Sequence, residues 1–141
     1  MALDVGDARI GVAMSDPLQI TAQPLITVVR TKKGVQELVA LIETHKPGAI
    51  SVGLPKMLSG VVGEQGEKTT LFAEGLRRKL EAKKLHPEII FWDERLTTVS
   101  AERLIIGTKL KDKNRRALLD QVSATLILEA YLMSQIEPPL D

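Results

Sequence analysis

The chain has no cysteine, which excludes disulfide bonds and thiol catalysis. It fits a reducing compartment, and a cytoplasmic location is expected. There is no apolar run long enough to cross a bilayer. The chain opens on a strand pattern with no basic leader, so neither a signal peptide nor a membrane contact is expected. Charge of one sign is also missing. A net of +1 gives no global field to hold a polyanion, so any nucleic-acid binding must come from a local patch. No internal repeat and no linker interrupts the 141 residues. Residues 1–141 therefore read as a single domain with one buried core. The two histidines, His45 and His86, precede a turn or a proline at helix ends, where a cation suits the dipole. Both read as structural.

What is present begins with Ala2 to Ala13, an alternating apolar pattern on either side of a Gly6-Asp7 turn, which predicts a β-hairpin. Alternation puts Asp4 on one face with Ala2, and Leu3 and Val5 on the other. The next strand repeats this, with Gly11, Ala13 and Ser15 against Ile10, Val12 and Met14. A later strand does so again, with Ala49, Ser51 and Gly53 against Ile50, Val52 and Leu54. One face of the sheet is thus paved with small residues, and Asp4 reads as the only charge on it. A carboxylate in such a strand is costly unless it is paired, hydrogen-bonded or bound to a metal.

Beyond the hairpin, Asp16-Pro17 marks a turn, and residues 26–30 form a β-branched third strand. Val35, Leu38, Val39 and Ile42 are spaced as a helix that ends at Pro47-Gly48. Residues 49–54 form a fourth strand stopped by Pro55, followed by a loop at 56–63. A helix at 67–84 carries a basic face at Arg77, Arg78, Lys79, Lys83 and Lys84, and a fifth strand follows at 88–92. A short helix is expected at 98–106, a Lys-rich connection at 107–114, and a last helix at 115–136. The order βββαβαβαα predicts an α/β fold. Its five-stranded mixed sheet has three antiparallel strands followed by parallel ones, with helices on both faces. Ligands of such sheets sit beyond the carboxyl ends of the strands.

Three acids stand in apolar surroundings: Asp4, Glu94 after the fifth strand, and Asp120 in the last helix. Asp120 shares a helix face with Ala117, Ser123 and Ala124. That small face matches the small sheet face, and packing the two brings Asp120 towards Asp4. Three convergent carboxylates repel one another unless cations neutralise them. Oxygen donors without His or Cys favour Mg²⁺ or Mn²⁺ over Zn²⁺. A pair of such ions can activate water and steady the leaving oxygen in phosphodiester hydrolysis. Asp93 competes with Glu94 for the same role. Arg9 supports either a phosphate or the hairpin. Lys109, Lys111, Lys113, Arg115 and Arg116, just before Asp120, form the local basic patch, which is either a phosphate grip or a solvated loop.

These residues also carry a resemblance. Residues 3–16 (LDVGDARIGVAMSD), 52–55 (VGLP), 92–98 (WDERLTT) and 120–124 (DQVSA) come in the order seen in the YqgF (RuvX) family and resemble its motifs. The resemblance implies an RNase H-like fold and an active site at Asp4, Glu94 and Asp120. It also implies a nuclease that either resolves Holliday junctions or trims the 5′ end of precursor 16S ribosomal RNA. The chain departs from the family in the loop after Pro55, where Lys56 to Val62 replace mostly polar residues. It also has fewer residues ahead of the first strand.

RNA is the favoured partner, with branched DNA as the alternative. The state is a monomer, or a homodimer if two sites must face a symmetric junction; Leu58, Val61 and Val62 are candidate dimer contacts. Competing readings are half of a sugar-kinase or actin-like fold, a receiver domain, and an RNA-binding scaffold that cuts nothing. The first needs a second lobe, and no repeat supplies one. The second needs a helix where the hairpin stands.

Overall fold

Strand alternation becomes strand pairing in the computed structural model, which describes residues 1–57, 59–93 and 112–136. The first strand, β1 (Ala2–Val5), runs antiparallel to β2 (Arg9–Ser15), with Leu3 opposite Val12 and Asp4 opposite Gly11. Strand β3 (Ala22–Val29) is antiparallel to β2. Strand β4 (Ala49–Leu54) lies parallel to β1, and β5 (Glu88–Asp93) lies parallel to β4. The sheet order is β3-β2-β1-β4-β5, the mixed arrangement that the element order predicts.

The two faces are covered differently. Helices α1 (Lys32–His45) and α2 (Glu64–Ala82) lie on the large-residue face, where Leu38, Ile42, Leu76 and Leu80 meet Leu3, Ile10, Val12, Ile50 and Val52. Helix α3 (Asp112–Ser134) lies on the small-residue face. There Ala2, Ala13 and Ala22 of the sheet meet Ala124, Ile127, Leu128 and Leu132 of the helix. Alanines on the sheet let the helix backbone come close, and the helix leucines fill the space at its far end.

Element ends differ from the sequence pattern for local reasons. Strand β3 starts at Ala22, four residues before the β-branched run, and takes in Pro24. That is possible because β3 is an edge strand and because the register shifts at Val12/Ala13, opposite Leu25. Helix α2 starts at Glu64, so that Glu64 and Glu67 occupy the first turn, where carboxylates suit the dipole. Helix α3 starts at Asp112 and takes in the end of the polar run. Helix α1 is capped by the Thr31 side chain, which accepts from the Gly34 amide at 3.1 Å. The expected helix at 98–106 lies outside the described residues.

Of the two turn aspartates, Asp16 is bonded within its own turn, whereas Asp7 reaches across to α2. Asp16 Oδ1 accepts from the amides of Ile20 and Thr21, each at 2.7 Å, and the Thr21 amide bond is the main reason its carboxyl sits below the usual range. Asp7 accepts from Gln65 Nε2 at 3.0 Å. That bond, with Lys68 nearby, also lowers its pKa.

Ser51 is fully buried on the small face, and its hydroxyl has no hydrogen-bond partner among the described residues. An unmade buried hydrogen bond is destabilising by about 1–3 kcal/mol. Ser51→Ala should therefore raise stability by roughly 1 kcal/mol in urea denaturation. A fall in stability would show that the hydroxyl has a partner in solution.

Candidate active site

The site is built on the absence of a side chain at Gly11. Asp4 stands directly opposite Gly11 across the β1–β2 pair, so the two residues present the same face. A Cβ placed on Gly11 would fall 2.0 Å from the Asp120 carbonyl oxygen and 3.0 Å from the Asp120 Cβ. The backbone of α3 thus rests on the sheet at this point, and only glycine permits it. Cross-strand Cβ positions lie about 5 Å apart, which puts the Cβ atoms of Asp4 and Asp120 within roughly 8 Å of each other. Thr27 Oγ1 of β3 donates to the Ala117 carbonyl at 2.7 Å and ties down the same turn of α3. Ser123 and Ala124 are buried just beyond it.

Arg9 lies on this face too, so Asp4 is not its only charge. Its Nε donates to Asp120 Oδ2 at 2.7 Å, with the side chains 34% and 18% exposed. Arg9 opens β2 and shares the parity of Gly11, a signal the sequence carried. The pairing itself links residues 111 apart. One of five guanidinium N–H donors is used in this bond. A carboxylate pair with a fixed cation beside it is less strained than a bare pair. Exposure and screening keep the contribution near ~1 kcal/mol. A double-mutant cycle of Arg9→Gln and Asp120→Asn should give a coupling of about that size. A coupling of zero would mean that the two side chains do not meet in solution.

The other proposed residues stand as follows. Arg115 and Arg116 sit in the first turns of α3, Arg116 one turn before Asp120, or about 6 Å along the axis. Glu94, Lys109 and Lys111 lie outside the described residues, as does the side chain of Lys113. Trp92 packs on the α3 side, edge-on to Tyr131 at 6.3 Å between centroids. Phe91 packs on the α1 and α2 side. Asp93, next in alternation, shares the parity of Phe91 and so faces away from Asp4.

Asp4 and Asp120 supply hard oxygen donors on one face, the chemistry that suits Mg²⁺ or Mn²⁺. Among the described residues no group of three or more His, Cys, Asp or Glu converges.

The model of the family described as "RuvX: Holliday junction resolvase" matches residues 1–134. This chain belongs to the RuvX family. It is 44% identical over 136 residues to a Clostridium novyi protein named "Putative pre-16S rRNA nuclease", covering 95% of this chain and 97% of that protein. A Roseiflexus protein of the same name is 42% identical over 137 residues, with 96% and 94% covered. Among solved structures, the Fowlpox virus resolvase in complex with Holliday junction DNA superposes with a TM-score of 0.51 at 12% identity, covering 96% of this chain and 97% of that one. At that identity the likeness concerns the fold alone. The RuvX motifs fall where the geometry gathers charge: the first contains Asp4, Arg9 and Gly11, and the last begins at Asp120.

Proposed function

We propose that this protein is a divalent-metal-dependent nuclease that hydrolyses phosphodiester bonds in RNA, acting in the 5′-end maturation of precursor 16S ribosomal RNA in the cytoplasm. The observation that carries this reading is the seat of α3 on Gly11, which sets Asp4 and Asp120 on one face beside Arg9. Membership of the RuvX family and relatives named for pre-16S rRNA support the substrate class. Among the described residues no helix is long and apolar enough to cross a membrane.

In this reading Asp4 and Asp120 hold Mg²⁺ or Mn²⁺, with Glu94 as the third carboxylate. When bound, the metal supplies an activated water and charge neutralisation at the scissile phosphate. The protein's own part is orientation. Gly11 admits the α3 backbone, Arg9 fixes the Asp120 carboxylate, and Arg115 and Arg116 stand one turn upstream, where phosphates approach. Lys109, Lys111 and Lys113 extend the same grip. One copy suffices for trimming, so a monomer serves.

The family description and the resolvase fold favour one second reading, cleavage of four-way DNA junctions by a homodimer. Side-by-side digestion of a precursor ribosomal RNA and a four-way junction separates the two. Cutting of the RNA alone is expected, and cutting of the junction alone would reverse the assignment. Replacing Lys111, Lys113 and Arg115 with Ala should flatten the plot of log affinity against log salt. The slope should fall by about 0.7 for each single-strand phosphate that the variant no longer neutralises. An unchanged slope would remove this segment from the interface.

A further inference from the structure

The basic residues at the end of α2 take no part in the site described above. Helices α1 and α2 cover the face of the sheet opposite Asp4 and Asp120. Between them runs a groove of about 550 Å³ lined by Lys32, Gln36, Val39, Lys79, Ala82 and Lys83. Half of its lining is lysine and none is acidic. Lys83 is offset by Glu43, 3.1 Å away, and Arg77 beside the groove by Glu74, 3.0 Å away. Among the described residues no ion pair engages Lys32 or Lys79. Residues 32–46 and 74–84 hold eight basic and four acidic residues, a net of +4, in a chain whose total is +1. The rest of the chain is therefore net negative. Charge segregated in this way produces a local field that the whole molecule lacks. Like charges around one groove repel until an anion enters it.

The lining narrows the choice of anion. A lysine ammonium is a point charge that grips phosphate without reading bases. No aromatic residue lines the groove, so it lacks the stacking platform that single-strand binders use. The apolar part of its lining, Val39 and Ala82, is small, which leaves room for a sugar-phosphate chain to pass between the lysines. We propose that the α1–α2 groove binds the backbone of base-paired RNA, as a second binding surface on the far side of the sheet from the cleavage site. This rests on the reading of the protein as an RNA nuclease. A substrate that touches both surfaces must be long and folded, so the groove selects structured precursors over short strands.

The test uses Asp4→Asn protein, so that binding is measured without cutting. The probes are an RNA hairpin with a single-stranded 5′ tail and the tail alone. Replacing the exposed Lys32 and Lys79 with Gln should lower the hairpin's log affinity versus log salt slope by about 1.4–1.8, or 0.7–0.9 per phosphate. Binding of the tail alone should not change, nor should tail cutting when Asp4 is intact. An unchanged hairpin slope overturns the groove, whether or not the wild-type protein cuts RNA. A reduced slope in a protein whose wild type cuts no RNA keeps the groove and overturns the nuclease reading. Binding of a polyglutamate peptide that needs both lysines, with the hairpin slope unchanged, assigns the groove to a protein partner and overturns the proposal.

Discussion

Gly11→Ala should destabilise the protein by about 3 kcal/mol and abolish cleavage. Overpacking commonly costs about 1–3 kcal/mol because neighbours move aside. Here the neighbours are the carbonyl oxygen and carbon of Asp120, 2.0 and 2.3 Å from the new methyl group. Neither can rotate away. Helix α3 must lift from the sheet, which would shift Asp120 and break the 2.7 Å bond to Arg9. Gly75→Ala is the matched control. It lies within α2, and a Cβ there meets nothing within 4 Å. Replacing a glycine inside a helix should stabilise by about 1 kcal/mol. The same substitution thus has opposite signs at the two positions. A Gly11→Ala protein as stable and as active as wild type would mean that α3 does not rest on β2 as described.

The largest catalytic effect is expected at Asp4. Asp4→Asn keeps the shape of the side chain and removes its charge, so the fold should survive. Altering a group that only supports a metal ligand lowers affinity or activity about 10–100-fold. A ligand itself should exceed that, with cleavage falling by more than about a hundredfold and Mn²⁺ binding abolished in calorimetry. Glu94→Gln should behave in the same way. Asp93→Asn should not, because the alternation that seats Trp92 against Tyr131 turns Asp93 to the other face. If Asp93→Asn stops cleavage while Glu94→Gln does not, the third carboxylate is wrongly assigned. Unchanged Mn²⁺ binding in Asp4→Asn would remove Asp4 from the metal site.

Much of this was legible in the chain because side-chain direction in a strand has a period of two. Leu3, Val5, Ile10 and Val12 announce one face, and Ala2, Asp4, Gly11 and Ala13 the other, before any partner is known. Residues 49–54 could be bounded to the residue because Gly48 and Pro55 flank an unbroken alternation of small and large residues. Other boundaries were harder to read. Helix α3 begins in a stretch of Asp112, Lys113 and Asn114 that has no apolar rhythm. Strand β3 extends through Pro24 only because its outer edge needs no partner.

By itself, then, the sequence determined the mixed sheet, its large and small faces, and the place of Asp4 on the small one. Each of these follows from local alternation and from the cost of leaving a charge in an apolar strand. The tertiary structure decided which residues meet. That Asp120 lands on Gly11, that Arg9 closes on it, and that lysines of α1 and α2 face one groove depends on chain segments far apart in sequence. The small faces of β1, β2 and α3 indicate that Asp120 approaches Asp4, but the residue it rests on and the cation that closes on it are set by how the helix settles on the sheet, by backbone clearance and side-chain volume.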